Sequence, residues 1–156
     1  MDSQVIFTRS GSPAEVIERL IGSAVASVAA ALYRLSNPRL AGALKEARQR
    51  GLSVRLVLND NDHYEENQAA RRTLKNYDIP FRIARGRAGD KSKMHHKFAV
   101  VDGRIALAGS YNWTLESEER NYENLILLRE PLLVAPFVQE FDELWAEGQV
   151  PEALAH

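Results

Sequence analysis

The chain reads as an α/β protein in which a mixed β-sheet is flanked by helices on both faces, and three observations predict this. In the first half, short apolar runs alternate with stretches of helical periodicity, which implies parallel strands joined by crossovers. In the second half, KFAVV and RIALAG are separated by Asp102-Gly103, a strong hairpin signal that adds antiparallel strands. The chain closes with an amphipathic stretch from Pro131 to Ala146, with Phe137, Phe141 and Trp145 on one side.

Taken in order, VIFTR (5–9) is a short strand, and Ser12-Pro13-Ala14-Glu15 supplies an N-cap, a proline at the first helical position and an early acid. The helix it opens carries Val16, Ile17, Leu20 and Ile21 on one face. A strand spans about 27–35. Asn37-Pro38 then starts a second helix that stops at Gly51, and VRLVLN (54–59) is a strand buried on both faces. Asn59 to His63 reads as a turn with an N-cap rather than a metal cluster, and a third helix follows from Glu65 to Asn76. FRIAR (81–85) is the next strand, and the run NYENLILLRE (121–130) supplies the one after the hairpin.

At 156 residues the chain has room for one domain, taken as 1–156. It has no cysteine, so a disulfide framework and a thiolate zinc site are both ruled out. No metal ligand set and no cofactor are expected. The opening residues lack a basic stretch followed by an apolar one, so a cytoplasmic location is expected. The longest uncharged run, Leu20 to Tyr33, falls short of the roughly 20 apolar residues of a spanning helix, so no integral membrane segment is expected.

The net charge of −1 argues against a surface that is polyanion-binding throughout, but one segment departs from it. Between Arg82 and Lys97, six cations are opposed only by Asp90, and His95 and His96 join them. Arg85, Arg87, Lys91 and Lys93 are the candidate nucleic-acid contacts; a solvated basic loop is the plainer alternative.

With Asp102 and Gly103 as the two turn residues, Val101 is expected opposite Arg104, Lys97 opposite Ala108, and His95 opposite Ser110. Alternation then places His95, Lys97, Ala99, Ala106, Ala108, Ser110 and Asn112 on one face, with alanines leaving room above it. His96, Phe98, Val100, Ile105, Leu107 and Trp113 share the other, core-facing side; Tyr111 is also expected to pack inward. An imidazole near neutral pH beside a fixed cation and Ser and Asn donors suits attack on a phosphodiester. A pair of surface residues on an edge strand is the plainer alternative for His95 and Lys97.

The residues His95-His96-Lys97, four residues later Asp102, then Gly109-Ser110-Tyr111-Asn112-Trp113-Thr114 and Asn121-Tyr122-Glu123-Asn124 together resemble the phospholipase D superfamily. The wording is closest to its single-motif branch, which includes the endonuclease Nuc and the Zucchini or cardiolipin hydrolase group, and the resemblance runs from about Ile17 to Trp145. It implies an α-β-α sandwich, a covalent phosphohistidine at His95, phosphoryl-oxygen binding by Lys97 and Asn112 with support from Ser110, and a hydrogen bond from Glu123 that orients His95. Asp102 is assigned a structural role at the turn, and His96 none in catalysis.

The function expected is a metal-independent phosphodiesterase, a nuclease acting on nucleic-acid backbones. The alternatives are a phospholipid phosphodiesterase of the same chemistry and a catalytically silent nucleic-acid-binding module. A phosphohistidine route needs two imidazoles near one phosphorus, and the chain has one complete motif; a homodimer sharing one active site is therefore expected.

Overall fold

The computed structural model describes residues 3–60 and 65–151. Eight strands form one sheet: β1 (Gln4–Phe7), β2 (Ser27–Leu32), β3 (Ser53–Asn59), β4 (Phe81–Gly86), β5 (Gly89–Lys93), β6 (Lys97–Val101), β7 (Ile105–Gly109) and β8 (Asn124–Leu128). Their spatial order is β1-β8-β7-β6-β2-β3-β4-β5. The helices are α1 (Pro13–Ser23), α2 (Pro38–Gln49), α3 (Glu65–Asn76), α4 (Leu115–Glu119) and α5 (Pro131–Glu147).

Strands β2, β3 and β4 run parallel and are linked by α2 and α3, while the pairings that involve β1, β5, β6, β7 and β8 are antiparallel. The expected mixed sheet is present. Its starts and stops follow the expected local chemistry: the Ser12 hydroxyl accepts from Glu15 N–H at 3.1 Å, and the Asn37 side chain accepts from Arg39 N–H at 3.0 Å. The turn expected over Asn59 to His63 falls partly on 61–64, outside the described residues.

Two cores sandwich the sheet. Ile17 and Ile21 of α1, Leu40 and Leu44 of α2 and Leu74 of α3 pack on one face against Val28, Leu56, Ala99, Leu107 and Leu127. On the other, Val134 and Phe141 of α5 pack against Ala31, Val57, Phe98, Val100 and Ala106. Tyr111 and Trp113, each 1% exposed, are buried as expected, but in the first core, across the sheet from Phe98 and Val100 rather than beside them. The sheet face beyond α5 stays open, with Val5, Phe7 and Ile126 exposed there and Leu132 and Leu133 exposed at the start of α5.

The expected hairpin register is wrong by one residue. Val101 pairs with Ile105, Val100 with Ala106 and Ala99 with Leu107. Asp102 and Gly103 do form the turn, at φ +55° and +65°, and Arg104 N–H reaches Val101 C=O at 3.0 Å, but Arg104 is left over as an additional residue. The slip moves Leu107 onto the face of Ala99 and moves Ala106 and Ala108 to the side of α5. Burying Leu107 in the first core contributes about 1.5–3 kcal/mol that an alanine there would forfeit. The alanine-lined face with room above it does not exist: Ala99 and Ala106 are fully buried.

Two elements were not anticipated. Gly89–Lys93 is the edge strand β5, folded back antiparallel on β4 rather than a loop, and Leu115–Glu119 is a short helix capped by Thr114, whose hydroxyl accepts from Ser117 N–H at 3.1 Å.

Asp102 ties the hairpin to the chain before β2. Its carboxylate accepts from Ala26 N–H at 2.7 Å, Ser27 N–H at 3.0 Å and Val25 N–H at 3.1 Å. Burial works to raise its pKa, yet these backbone donors and Arg104 outweigh it and hold the carboxyl below the usual aspartate range. A depressed carboxylate contributes stability above its unfolded value, and that stability is lost as pH falls through the folded one. Asp102→Asn tolerates the positive φ, removes the charge and replaces one of the two accepting oxygens with a donor. It is expected to lower unfolding stability by about 1–2 kcal/mol at neutral pH, with the deficit shrinking as pH drops below about 4, read by urea denaturation across pH.

Candidate active site

The antiparallel register brings chemistry from five strands to one end of the sheet. Leu32 at the end of β2 lies beside Lys97 at the start of β6; Gly109 at the end of β7 lies beside Leu125, and Phe7 at the end of β1 beside Asn124. The loops after β2 and β7 are joined where Ser36 and Asn37 N–H groups reach Trp113 C=O at 2.9 and 3.0 Å.

Gly109 is required here by its backbone. It sits at φ +138°, and a Cβ on it would lie 2.4 Å from the Asn124 carbonyl oxygen. Its absence lets the end of β7 press against β8, and Ser110 Oγ then accepts from Asn124 N–H at 3.1 Å and donates to Glu123 Oε1 at 2.7 Å. The second carboxylate oxygen accepts from Ser117 Oγ at 2.9 Å and Asn121 Nδ2 at 3.2 Å, while Glu123 N–H donates to Thr8 Oγ1 at 2.8 Å.

His95 and Lys97 meet on the other side of the same end. Lys97 Nζ lies 3.2 Å from His95 Nδ1 and 3.0 Å from the His95 carbonyl oxygen. An ammonium can only donate, so Nδ1 accepts and the imidazole proton resides on Nε2. Behind the imidazole stands Tyr33, ring centroids 4.5 Å apart, and the Arg34, Lys97 and Lys93 cations lie 5.3, 5.4 and 5.8 Å from the same tyrosine ring. Desolvation lowers the His95 pKa, and Lys97, Lys93, Arg34 and His96 push it the same way. The Lys97 pKa is also lowered, chiefly by burial, with Glu123 opposing and Arg34 assisting.

Each candidate can now be placed. His95, Lys97, Ser110, Asn112 and Glu123 gather at one end of the sheet, but the expected hydrogen bond between Glu123 and His95 is not formed among the described residues. Ser110, Ser117 and Asn121 occupy that carboxylate instead. Ser110 is likewise turned to Glu123 and Asn124 rather than to His95. Asn112 Oδ1 is buried with no hydrogen-bond partner. His96 points the other way, as alternation implies, with Nε2 2.7 Å from Glu140 Oε2 of α5 and its ring edge-on to Phe98.

Arg85 is paired with Asp60 at 2.8 Å, whereas Arg87, Lys91 and Lys93 are exposed along the β4–β5 hairpin. A cleft of about 550 Å³ runs from Arg85, Arg87 and Lys93 to His95, with Glu140, Glu143 and Glu147 of α5 on its far wall. Among the described residues, no three His, Cys, Asp or Glu side chains converge as a metal site, and no helix is long and apolar enough to cross a membrane.

Sequence reasoning missed Tyr33, Arg34, Ser117 and Thr8, and gave Asn121, a residue of the motif, no role. Tyr33 and Arg34 directly follow an apolar strand at the end where the motif lies, and Ser117 follows the capping Thr114; both placements were usable signals.

A family model described as "Cardiolipin synthase, PLD-like domain" matches residues 17–145. The chain is 38% identical over 130 residues to the mitochondrial cardiolipin hydrolase of Danio rerio, covering 83% of this chain and 55% of that protein. It is 34% identical over 125 residues to that of Chlamydomonas reinhardtii, covering 80% and 54%. The chain thus spans about half the length of the curated relatives it matches. Among solved structures, the phospholipase D family member Nuc from Salmonella typhimurium superposes with a TM-score of 0.85 at 27% identity, covering 95% of this chain and 96% of that one. NucT from Helicobacter pylori, 21% identical, shares the fold at a TM-score of 0.81, covering 95% and 98%. The expected cytoplasmic location is overturned by relatives named for the mitochondrion; the composition of the opening residues, on which it rested, does not discriminate between the compartments inside a cell. On the family match over most of its length and on its kinship with these relatives, the chain belongs to the phospholipase D-like superfamily.

Proposed function

We propose that this chain is a phosphodiesterase that cleaves nucleic-acid backbones through a phosphohistidine at His95, with a second copy completing the site. The observation that carries this reading is the placement of His95, among Lys97, Lys93 and Arg34, at the end of a cleft whose near wall is the basic β4–β5 hairpin. Those cations supply the positive charge that the non-bridging oxygens need, so no metal is assigned to the step.

In the chain as it stands, Lys97 donates to Nδ1, so the ring is a neutral imidazole with its proton on Nε2; the acid role belongs to the imidazolium, protonated on both nitrogens. Attack by Nε2 requires the proton on Nδ1 and Lys97 turned away. A bound phosphoryl group offers the Lys97 ammonium that other partner, and Asn112, whose donors to such a group are its Nδ2 hydrogens, lies at the same end of the sheet. The Nε2 lone pair then bonds to phosphorus as the ester oxygen leaves, protonated by a second imidazole, and that imidazole next takes a proton from the water that releases the phosphate. One chain carries one such imidazole, which is why the partner's copy of the motif is included in the site. The exposed Phe7 and Tyr122 flank Glu123 at the rim, and apolar surface beside a site suits coverage by a second chain.

A second reading, hydrolysis of a phospholipid such as cardiolipin, is favoured by the relatives of that name. The two readings share their chemistry and differ in the leaving group. The deciding experiment offers a small phosphodiester, oligonucleotides and cardiolipin vesicles side by side in excess chelator. Oligonucleotide cleavage is expected; turnover confined to cardiolipin would transfer the assignment to the lipid, and loss of all turnover in chelator would end the metal-free mechanism.

His95→Ala is expected to abolish turnover, whereas His96→Ala, directed at α5, should keep most of it; equal losses would contradict the opposed placement of the two rings. Replacing Arg87, Lys91 and Lys93 by Gln should flatten the salt dependence of oligonucleotide binding, by about one unit of slope for each phosphate no longer neutralised, measured by fluorescence anisotropy. Light scattering should give the mass of a dimer, and a monomer that keeps full activity on dilution would refute the shared site.

A further inference from the structure

Tyr33 lies outside every motif residue, yet the same three cations that act on His95 converge on its ring. It follows β2 directly, is 6% exposed, and its N–H donates to the His96 carbonyl oxygen at 2.8 Å, so its backbone is fixed to the strand segment that carries His95. The His95 imidazole rests 4.5 Å from its ring at an interplanar angle of 51°, and three cations from three segments stand within 6 Å: Arg34 at 5.3 Å, Lys97 at 5.4 Å and Lys93 at 5.8 Å.

We propose that Tyr33 is a positioning residue for the phosphodiesterase reaction: its buried ring is the surface on which the His95 imidazole is held and around which Lys97, Lys93 and Arg34 are gathered. The proposal rests on the assignment of His95 as the reacting group. Two physical effects produce it. A large flat side chain removes water from one side of the imidazole and limits its rotation, and the negative face of the aromatic ring attracts cations that would otherwise repel one another. The ring thereby lets positive charge accumulate beside a histidine without dispersing into solvent. It also connects the basic hairpin to the reacting group, because Lys93 is the last residue of β5.

The groups that face His95 are Lys97 from β6, Lys93 from β5, Arg34 after β2, the neighbouring His96, and Tyr33 itself. Burial is the largest influence that lowers the His95 pKa, and Lys97, Lys93, Arg34 and His96 act in the same direction. Withdrawing the ring admits water and lets the cations spread, so the imidazole should titrate at a higher pH.

The test compares Tyr33→Phe with Tyr33→Leu in the full chain. Tyr33→Met, unbranched and able to fill the same space, is made alongside in case the leucine variant does not fold. His95 titration by NMR, assigned with His95→Gln, reads the proposal without any turnover. The parent and Tyr33→Phe should titrate together below the ordinary histidine value of about 6.5, with the leucine or methionine variant shifted up toward it. On a small phosphodiester, kcat should fall on the order of 10- to 100-fold in the aliphatic variants with KM little changed, and stay within about twofold in Tyr33→Phe. An unshifted His95 titration in a folded aliphatic variant would overturn the proposal, as would Tyr33→Phe behaving like Tyr33→Leu, which would assign the effect to the hydroxyl. If the parent turns over no phosphodiester, the functional reading fails on its own, and the titration still decides whether Tyr33 sets the state of His95.

Discussion

The site depends on a backbone contact before it depends on any reactive side chain. At Gly109 the end of β7 presses so closely on Asn124 that no other residue fits, and that approach sets Ser110 between Asn124 N–H and the Glu123 carboxylate. Glu123 then collects Ser117 from α4 and Asn121 from the following loop, while its N–H is taken by Thr8 at the end of β1. Three neighbouring segments and one from the start of the chain are tied through one acidic residue. A partly buried carboxylate that accepts several donors is costly to disturb, because each donor left behind loses its partner. This network fixes one half of the site, and the His95–Lys97–Tyr33 cluster forms the other.

The two halves stand at the same end of the sheet because β6 is antiparallel to both of its neighbours. That arrangement puts the last residues of β2 and β7 beside the first residue of β6. The Asp102 carboxylate secures the opposite end by capping the N–H groups of Val25, Ala26 and Ser27. The motif's aspartate and its histidine are therefore separated by the full length of a strand, one bonded at the turn and the other open to the cleft. Their joint presence in a motif reflects one strand serving two purposes.

Charge follows the same division. A chain of net charge −1 concentrates cations on the β4–β5 hairpin and around Tyr33, and the acidic residues of α5 face them across the cleft. His96 takes part in that opposition through Glu140, which explains why two adjacent histidines have different environments. Edge strands are commonly lined with lysine to discourage pairing with other chains, so Lys91 and Lys93 protect β5 as well as lending charge to the cleft.

Several features were legible in the sequence because they depend on neighbours along the chain. The caps at Ser12 and Asn37, the turn at Asp102-Gly103, the parallel first half, the amphipathic last helix and the opposite directions of His95 and His96 all follow from local dihedral preference and periodicity. Tertiary structure decided the rest. The hairpin is shifted by one residue from the register of a two-residue turn and places Leu107 in the first core, and no local pattern compares that burial with the preference of the turn. The partner of Glu123 depended on which strand ends met, and competition from Ser110, Ser117 and Asn121 removed it from His95. Tyr33 passed unnoticed because an aromatic residue at a strand end is ordinary in sequence, and its significance comes only from the three cations and one imidazole that folding brings to its ring.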